Sequence, residues 1–229
     1  MLVDLAYTVQ RSEKRRKLTI AVERDRSVVV HAPAGATDEA IRRVVDSKRH
    51  WILEKLRHPQ KYRDLPHPPG KELVNGEAAL YLGRQYRIEV VAGGLDAVQF
   101  NQRFLVPASK VSERKTTLRK WYVARANEKI LPRVFRFAKS LGVEFKGARI
   151  VDNRYRWGSC TVKDSVNFNW RLIKAPVFVI DYVIAHELAH LIEANHTVRF
   201  WNVVRAQVPK VEQARAWLRE HGQVLEEEV

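Results

Sequence analysis

His186 and His190 stand four residues apart with Glu187 between them, and His196 follows directly after Asn195. Residues at that spacing share one face of a helix, so a single helix can present both imidazoles to the same ion. Imidazole nitrogen binds zinc at about 2.0–2.1 Å. A carboxylate beside two such ligands is placed to take a proton from a metal-ligated water. The pattern therefore points to metal-assisted hydrolysis, with one zinc ion (Zn2+) on His186, His190 and His196 and Glu187 as the general base. Three protein ligands leave a fourth position for water, the arrangement of a catalytic site and not of a closed structural one. The bond that is cut is not written in these residues.

The third imidazole sets a condition on the backbone. On an unbroken helix His196 would point away from the metal, so the helix must end between Leu191 and Asn195. Asn195 enters the left-handed region more easily than most residues, which predicts the turn there. Glu193 is the alternative third ligand. His31, His50, His58, His67 and His221 lie far away in the sequence and are read as ordinary surface or core histidines.

A second group precedes the metal helix. Arg154, Arg156, Trp157, Asn167, Asn169 and Arg171 mix charge, aromatic bulk and amides. An edge strand here would bind an extended peptide by strand addition. The arginines would equally clamp phosphate oxygens. The candidate substrate-binding residues are therefore Arg154, Arg156, Asn167, Asn169, Arg171 and Tyr182, the last lying four residues before His186. Core packing is the plainer role of Trp157 and Tyr182, and Cys160 reads as a small buried residue.

These residues need elements to carry them. Residues 15–32 alternate apolar and polar on both sides of Arg24-Asp25-Arg26, predicting two strands and a turn. Thr37 reads as an N-cap with Asp38 and Glu39 in the first turn, opening one helix that ends before Pro59. Residues 59–70 hold four prolines and a glycine and read as a linker. Short strands return between Gly76 and Val106. Residues 112–141 predict a long helix with Leu118, Trp121, Tyr122, Ala126, Ile130, Leu131, Val134, Phe135 and Ala138 on one face, a kink at Pro132 and a stop at Gly142. A hairpin follows, with arms 149–155 and 166–172. The metal helix spans roughly 176–193, and further helices start near Thr197 and Val211. The fold class is α+β: a metal-binding helix packed on a small sheet or hairpin, with a β-rich N-terminal part. The expected division is 1–108 and 109–229.

Composition bounds the rest. The chain has 229 residues, 45% of them hydrophobic, enough for a packed core. One cysteine excludes a disulfide within the chain and fits a reducing cytoplasm. No signal peptide or membrane-length apolar run is read, so a cytoplasmic protein without a membrane partner is expected. The formal net charge of +15, from 41 Lys and Arg against 26 Asp and Glu, makes a field that attracts phosphates or nucleic acid. The basic residues are spread along the chain, which weakens the nucleic-acid reading.

RWGSC at 156–160, NWRL at 169–172, DYVIAHELAHL at 181–191 and NHTVRFW at 195–201 together resemble the YgjP-like zinc-dependent metallopeptidases, related to the SprT-like proteins. RRKLTIAV, HAPAGAT and YLGRQYRIEV extend the likeness to most of the chain. The resemblance implies a zincin-like core with zinc on the three histidines and Glu187 as catalytic base. Two departures are visible: Lys163-Asp164-Ser165 lacks an expected glycine, and Thr197 replaces a serine. A zinc metallopeptidase acting on peptide or protein is the first expectation. A UTP pyrophosphatase, an activity also assigned within that family, is the alternative, and a nucleic-acid-associated adaptor is a third reading.

Overall fold

The computed structural model describes residues 5–23, 26–57, 72–109, 111–153 and 156–226. It is α+β, with six helices and three small mixed sheets among those residues. Packing divides the chain into two units, Met1–Leu65 and Pro66–Val229.

The first unit carries β1 (Thr8–Ser12), β2 (Thr19–Val22) and β3 (Val28–Pro33) in the order β1-β3-β2. The pair β2–β3 is the predicted antiparallel one, with Ala21 opposite Val29. Strand β1 lies parallel to β3, with Val9 opposite Val30. Its mostly exposed side chains carry no alternation to betray it, because its pairing is made by the backbone. Thr37 caps α1 (Asp38–Ser47) as expected, its hydroxyl accepting from the Ala40 amide at 3.2 Å. The single predicted helix is in fact two. The Ser47 hydroxyl donates to Val44 O at 2.8 Å and the Lys48 amide is shared between Val44 O and Val45 O, which interrupts the ladder before α2 (Arg49–Leu56). Val28, Val30, Ala32, Ile41, Val45 and Ile52 form this unit's core. The proline-rich segment 59–70 lies outside the described residues.

The second unit begins with β4 (Ala78–Tyr81), β5 (Arg84–Val91), β6 (Gln99–Phe100) and β7 (Phe104–Pro107), ordered β4-β5-β7-β6. Helix α3 (Val111–Leu141) follows and stops at Gly142, whose φ of 66° lets the Val143 amide reach back to Ala138 O at 3.0 Å. Leu118, Tyr122, Ala126, Ile130, Val134 and Ala138 form its buried stripe, and Phe137 joins them. Phe135, assigned to that face from spacing, is exposed and packs on Phe145 instead.

The predicted boundary at 108 does not match the packing. Tyr81, Ile88, Phe104 and Val106 share one core with α3 and with the helices that follow. The Tyr122 hydroxyl donates to Leu80 O at 2.7 Å, tying sheet to helix. The boundary was misplaced because a change from strands to helices marks a change of element, not an end of burial.

The predicted hairpin is also corrected. Strand β8 (Gly147–Val151) lies parallel to β10 (Ser165–Asn169), and the antiparallel partner of β10 is the short β9 (Gly158–Cys160). Thr161 organises the turn: its Oγ1 accepts from the Lys163 and Ser165 amides, and Asp164 takes φ 55° in the glycine's place. Asp is tolerated in that region, so the missing glycine is accommodated.

A 3₁₀ helix, Trp170–Lys174, leads into α4 (Val177–Ala189), then α5 (Val198–Gln207) and α6 (Val211–Glu226). Helix α4 is buried nearly all round, as a helix apolar on every face must be. Its entry is fixed by the β4–β5 turn. The amides of Leu82 and Gly83 donate to Ile173 O and Lys174 O at 3.0 and 2.9 Å. Gly83 has φ 81°, and a Cβ there would sit 2.6 Å from Pro176 Cγ. Gly83→Ala should therefore destabilise the protein by about 2–3 kcal/mol. A urea-denaturation midpoint equal to that of the native chain would show that this turn does not secure the start of α4.

Candidate metal centre

The condition on the backbone is met by a tight exit from α4. Helical structure ends at Ala189, and His190 is the C-cap. The Leu191 and Ile192 amides donate to Leu188 O and Ala189 O, each at 3.0 Å, closing short turns. Asn195 does not enter the left-handed region, contrary to expectation. The reversal is instead completed by the Thr197 amide donating to Asn195 O at 2.7 Å. Thr197 then caps α5, its Oγ1 accepting from the Phe200 amide at 3.3 Å. His196 is held between that turn and that cap.

His186, His190 and His196 converge as a result. Each offers a ring nitrogen within 4.8 Å of the others, and the Nε2 atoms of His186 and His196 are 3.1 Å apart. Two ligands at 2.0–2.1 Å on a tetrahedral ion stand about 3.3 Å apart, so this spacing fits zinc. The His190 Nδ1 lies 3.3 Å from Glu193 O, the kind of outer contact that orients a metal-binding ring and leaves Nε2 to the site. Glu193, the alternative ligand, thus meets the site through its main chain. Phe200 is fully buried and its ring lies 4.6–4.9 Å from all three imidazoles. Trp201 lies 5.8 Å from His196.

Burial sets the protonation states. His186 is lowered to about 3, first by burial and then by His190, His196 and Arg215. His196 is lowered by burial and then by His190 and Arg215. Both rings are kept neutral, the form that offers a lone pair to a metal. Among the described residues the buried Nδ1 of His186 has no hydrogen-bond partner.

Glu187 is buried on the same helix, facing β9. Burial raises its carboxyl to about 7, although an amide hydrogen bond from Cys160 and the charge of Arg156 act the other way. A Cβ on Gly158 would stand 2.5 Å from Glu187 Cγ and 2.8 Å from Oε1. Gly158 is a position against Glu187 that spacing alone did not reveal. Its only signal was a glycine inside a strand, which marks a close approach.

The candidate substrate residues separate into two groups. Arg156 is exposed and its charge reaches Glu187. Asn167 donates weakly to Ser159 Oγ at 3.4 Å. Tyr182 is buried with its ring 5.8 Å from His186, and burial pushes its hydroxyl up to about 12. Asn169 and Arg171 are committed to the scaffold. Asn169 donates to Asn153 O and caps the 3₁₀ helix at the Arg171 amide. Arg171 is buried, stacked 4.5 Å over Trp170 and bonded to Asp152 at 2.5 Å. Partial burial raises the Asp152 carboxyl, but Arg171 and Arg119 more than reverse this and hold it below its usual range. Arg154 lies outside the described residues.

The YgjP-like metallopeptidase domain model matches residues 16–221 of this chain. The chain belongs to the YgjP-like metallopeptidase family. No curated protein matches it. Among solved structures, the abylysin metallopeptidase zymogen of Pyrococcus abyssi aligns at 18% identity, covering 38% of this chain and 91% of that one with a TM-score of 0.34. The jannalysin metallopeptidase zymogen of Methanocaldococcus jannaschii aligns at 20% identity, covering 38% and 94%, also with a TM-score of 0.34. Among the described residues no helix of this YgjP-like chain is long and apolar enough to cross a membrane.

The raised Glu187 carboxyl has a stability consequence in the metal-free protein. Its folded value, about 7, lies above the ordinary 4.5, so the buried charge costs stability above pH 7 and the cost disappears as pH falls towards 4.5. Glu187→Gln should stabilise the chelator-treated protein at pH 8 by about 3 kcal/mol and leave it unchanged near pH 4.5. The depressed His186 acts in the opposite sense, its contribution fading as pH drops from 6.5 towards 3, but it is common to both proteins and cancels in the difference. Urea titrations at the two pH values check this; a pH-independent difference would contradict it.

Proposed function

We propose that this chain is a zinc-dependent peptidase in which His186, His190 and His196 hold a single zinc ion and Glu187 is the general base. The observation that supports it most is the meeting of three imidazole nitrogens within 4.8 Å, with a buried carboxyl on the same helix that burial raises to about 7. A zinc ion held there by the three histidines would supply Lewis acidity for hydrolysis.

The remaining chemistry belongs to the protein. Glu187 accepts a proton from the attacking water at a carboxylate oxygen and delivers it to the leaving amine nitrogen. The Cys160 amide holds the carboxylate in position, and the bare backbone of Gly158 makes room for it. Burial tunes the carboxyl so that it can both take and return the proton near pH 7. Phe200 and Trp201 wall the imidazoles. Strand β9 is an edge in the order β8-β10-β9, and an extended peptide can add to it next to Glu187. The peptide reading is preferred to nucleotide pyrophosphatase because Arg171, one of the arginines meant for phosphate, is bound to Asp152.

Zinc-loaded protein should degrade a denatured protein substrate and leave a panel of nucleoside triphosphates, UTP included, intact. Glu187→Gln should reduce proteolysis by at least about 10²–10⁴-fold with one zinc retained per chain. Undiminished cleavage by that variant, or pyrophosphate release without proteolysis, would defeat the proposal. Gly158→Ala should also keep its zinc yet lose about 10²-fold in turnover, because the added methyl displaces the Glu187 carboxylate. Native turnover in this variant would show that the close approach has no catalytic weight.

A further inference from the structure

Arg215, on α6, stands beside the metal centre and was not singled out by any motif. Its guanidinium carbon lies 4.6 Å over the Trp201 ring, and that ring lies 5.8 Å from His196 and 5.9 Å from His186. Its Nη1 donates to Glu212 Oε2 at 3.1 Å. The other oxygen of Glu212, Oε1, accepts from Arg205 Nη2 at 3.3 Å. One carboxylate therefore serves two guanidinium groups, and the cluster Arg205–Glu212–Arg215 keeps a net positive charge. A guanidinium has five N–H donors in a fixed fork. Among the described residues Glu212 engages one Arg215 donor, which leaves others for a ligand. The side chain is 43% exposed, so a ligand can reach it.

Arg215 thus stands one indole ring away from His186 and His196. The steps from His196 to Trp201 and from Trp201 to Arg215 are 5.8 Å and 4.6 Å, a reach that about three residues of extended chain cover at about 3.3–3.6 Å each.

We propose that Arg215, stacked on Trp201 and steadied by Glu212, is a subsite for a single carboxylate of the substrate, the C-terminal carboxylate of a short peptide whose scissile bond lies at the histidine cluster. One guanidinium, with one face on an indole and part of its charge neutralised, matches a monoanion better than a polyphosphate. This inference rests on the peptidase reading above and gives it a substrate class: peptides cut a few residues from a free C-terminus.

The test measures binding, so that it does not depend on turnover. Zinc-loaded Glu187→Gln protein is titrated calorimetrically with alanine tetrapeptide bearing a free C-terminal carboxylate, and with the same peptide as its C-terminal amide. The free acid should bind about tenfold tighter or more. Adding Arg215→Gln should bring the ratio to about one while zinc content and the thermal midpoint hold. Adding Glu212→Gln distinguishes a ligand site from a structural ion pair: it frees Arg215, so the preference for the free acid should persist or grow. Equal binding of acid and amide, binding of neither, or a Glu212→Gln protein that behaves like Arg215→Gln, would each overturn the assignment. Failure of the native chain to retain zinc, or hydrolysis of the peptide by the Glu187→Gln protein, would instead overturn the peptidase reading beneath it.

Discussion

The site depends on α4 ending at Ala189. One further helical turn would carry His196 to the far side of the axis and leave two imidazoles without a third. Short turns at Leu191 and Ile192, the Thr197–Asn195 bond and the Thr197 cap together reverse the chain within a few residues. The helix itself must not move, and it is held from several sides. Its start is plugged by the Leu82–Gly83 turn, Asp181 is paired with Arg133 at 2.8 Å, and its residues are buried in the core shared with α3, α5 and α6. A ligand set needs this kind of scaffold, because an ångström of play at a metal or a base is costly to chemistry.

Burial does a second job at the same place. Low polarity disfavours charge on any group, and it acts in opposite directions on bases and acids. His186 and His196 are pushed towards their neutral form. The Glu187 carboxyl is pushed up towards neutrality, where a proton can be both taken and given. One environment thus acts on imidazoles and carboxyl together. The backbone of Gly158 lies close against Glu187, so β9 forms one wall of that carboxyl's surroundings.

The large positive charge is not one surface with one purpose. Arg171, Arg119 and Arg133 are fastened to Asp152 and Asp181 and support the fold. Arg156 and Arg215 lie where their charges reach Glu187 and His186. Sequence could count arginines but could not sort them, since sorting depends on which carboxylates come near. Asp152 meets Arg119 from α3 and Arg171 from the 3₁₀ helix, and neither pairing is visible in spacing.

What the sequence by itself determined is what a helix makes local. The four-residue step from His186 to His190, the caps at Thr37 and Thr197, the long helix to Gly142 and the α+β order all follow from periods and end signals within a few residues. The reading failed where contacts are long-range. Strand β1 pairs by its backbone alone, β8 joins β10 in parallel across an intervening strand, and the 78–107 strands belong to the core shared with α3 and α4 and not to a separate N-terminal part. Tertiary structure alone decided that Gly158 faces Glu187, that Arg171 is withdrawn to Asp152 and that Arg215 lies over Trp201. Each of these joins residues from different elements, and their meeting is set by how the elements pack. The order of residues along the chain does not encode that distance directly.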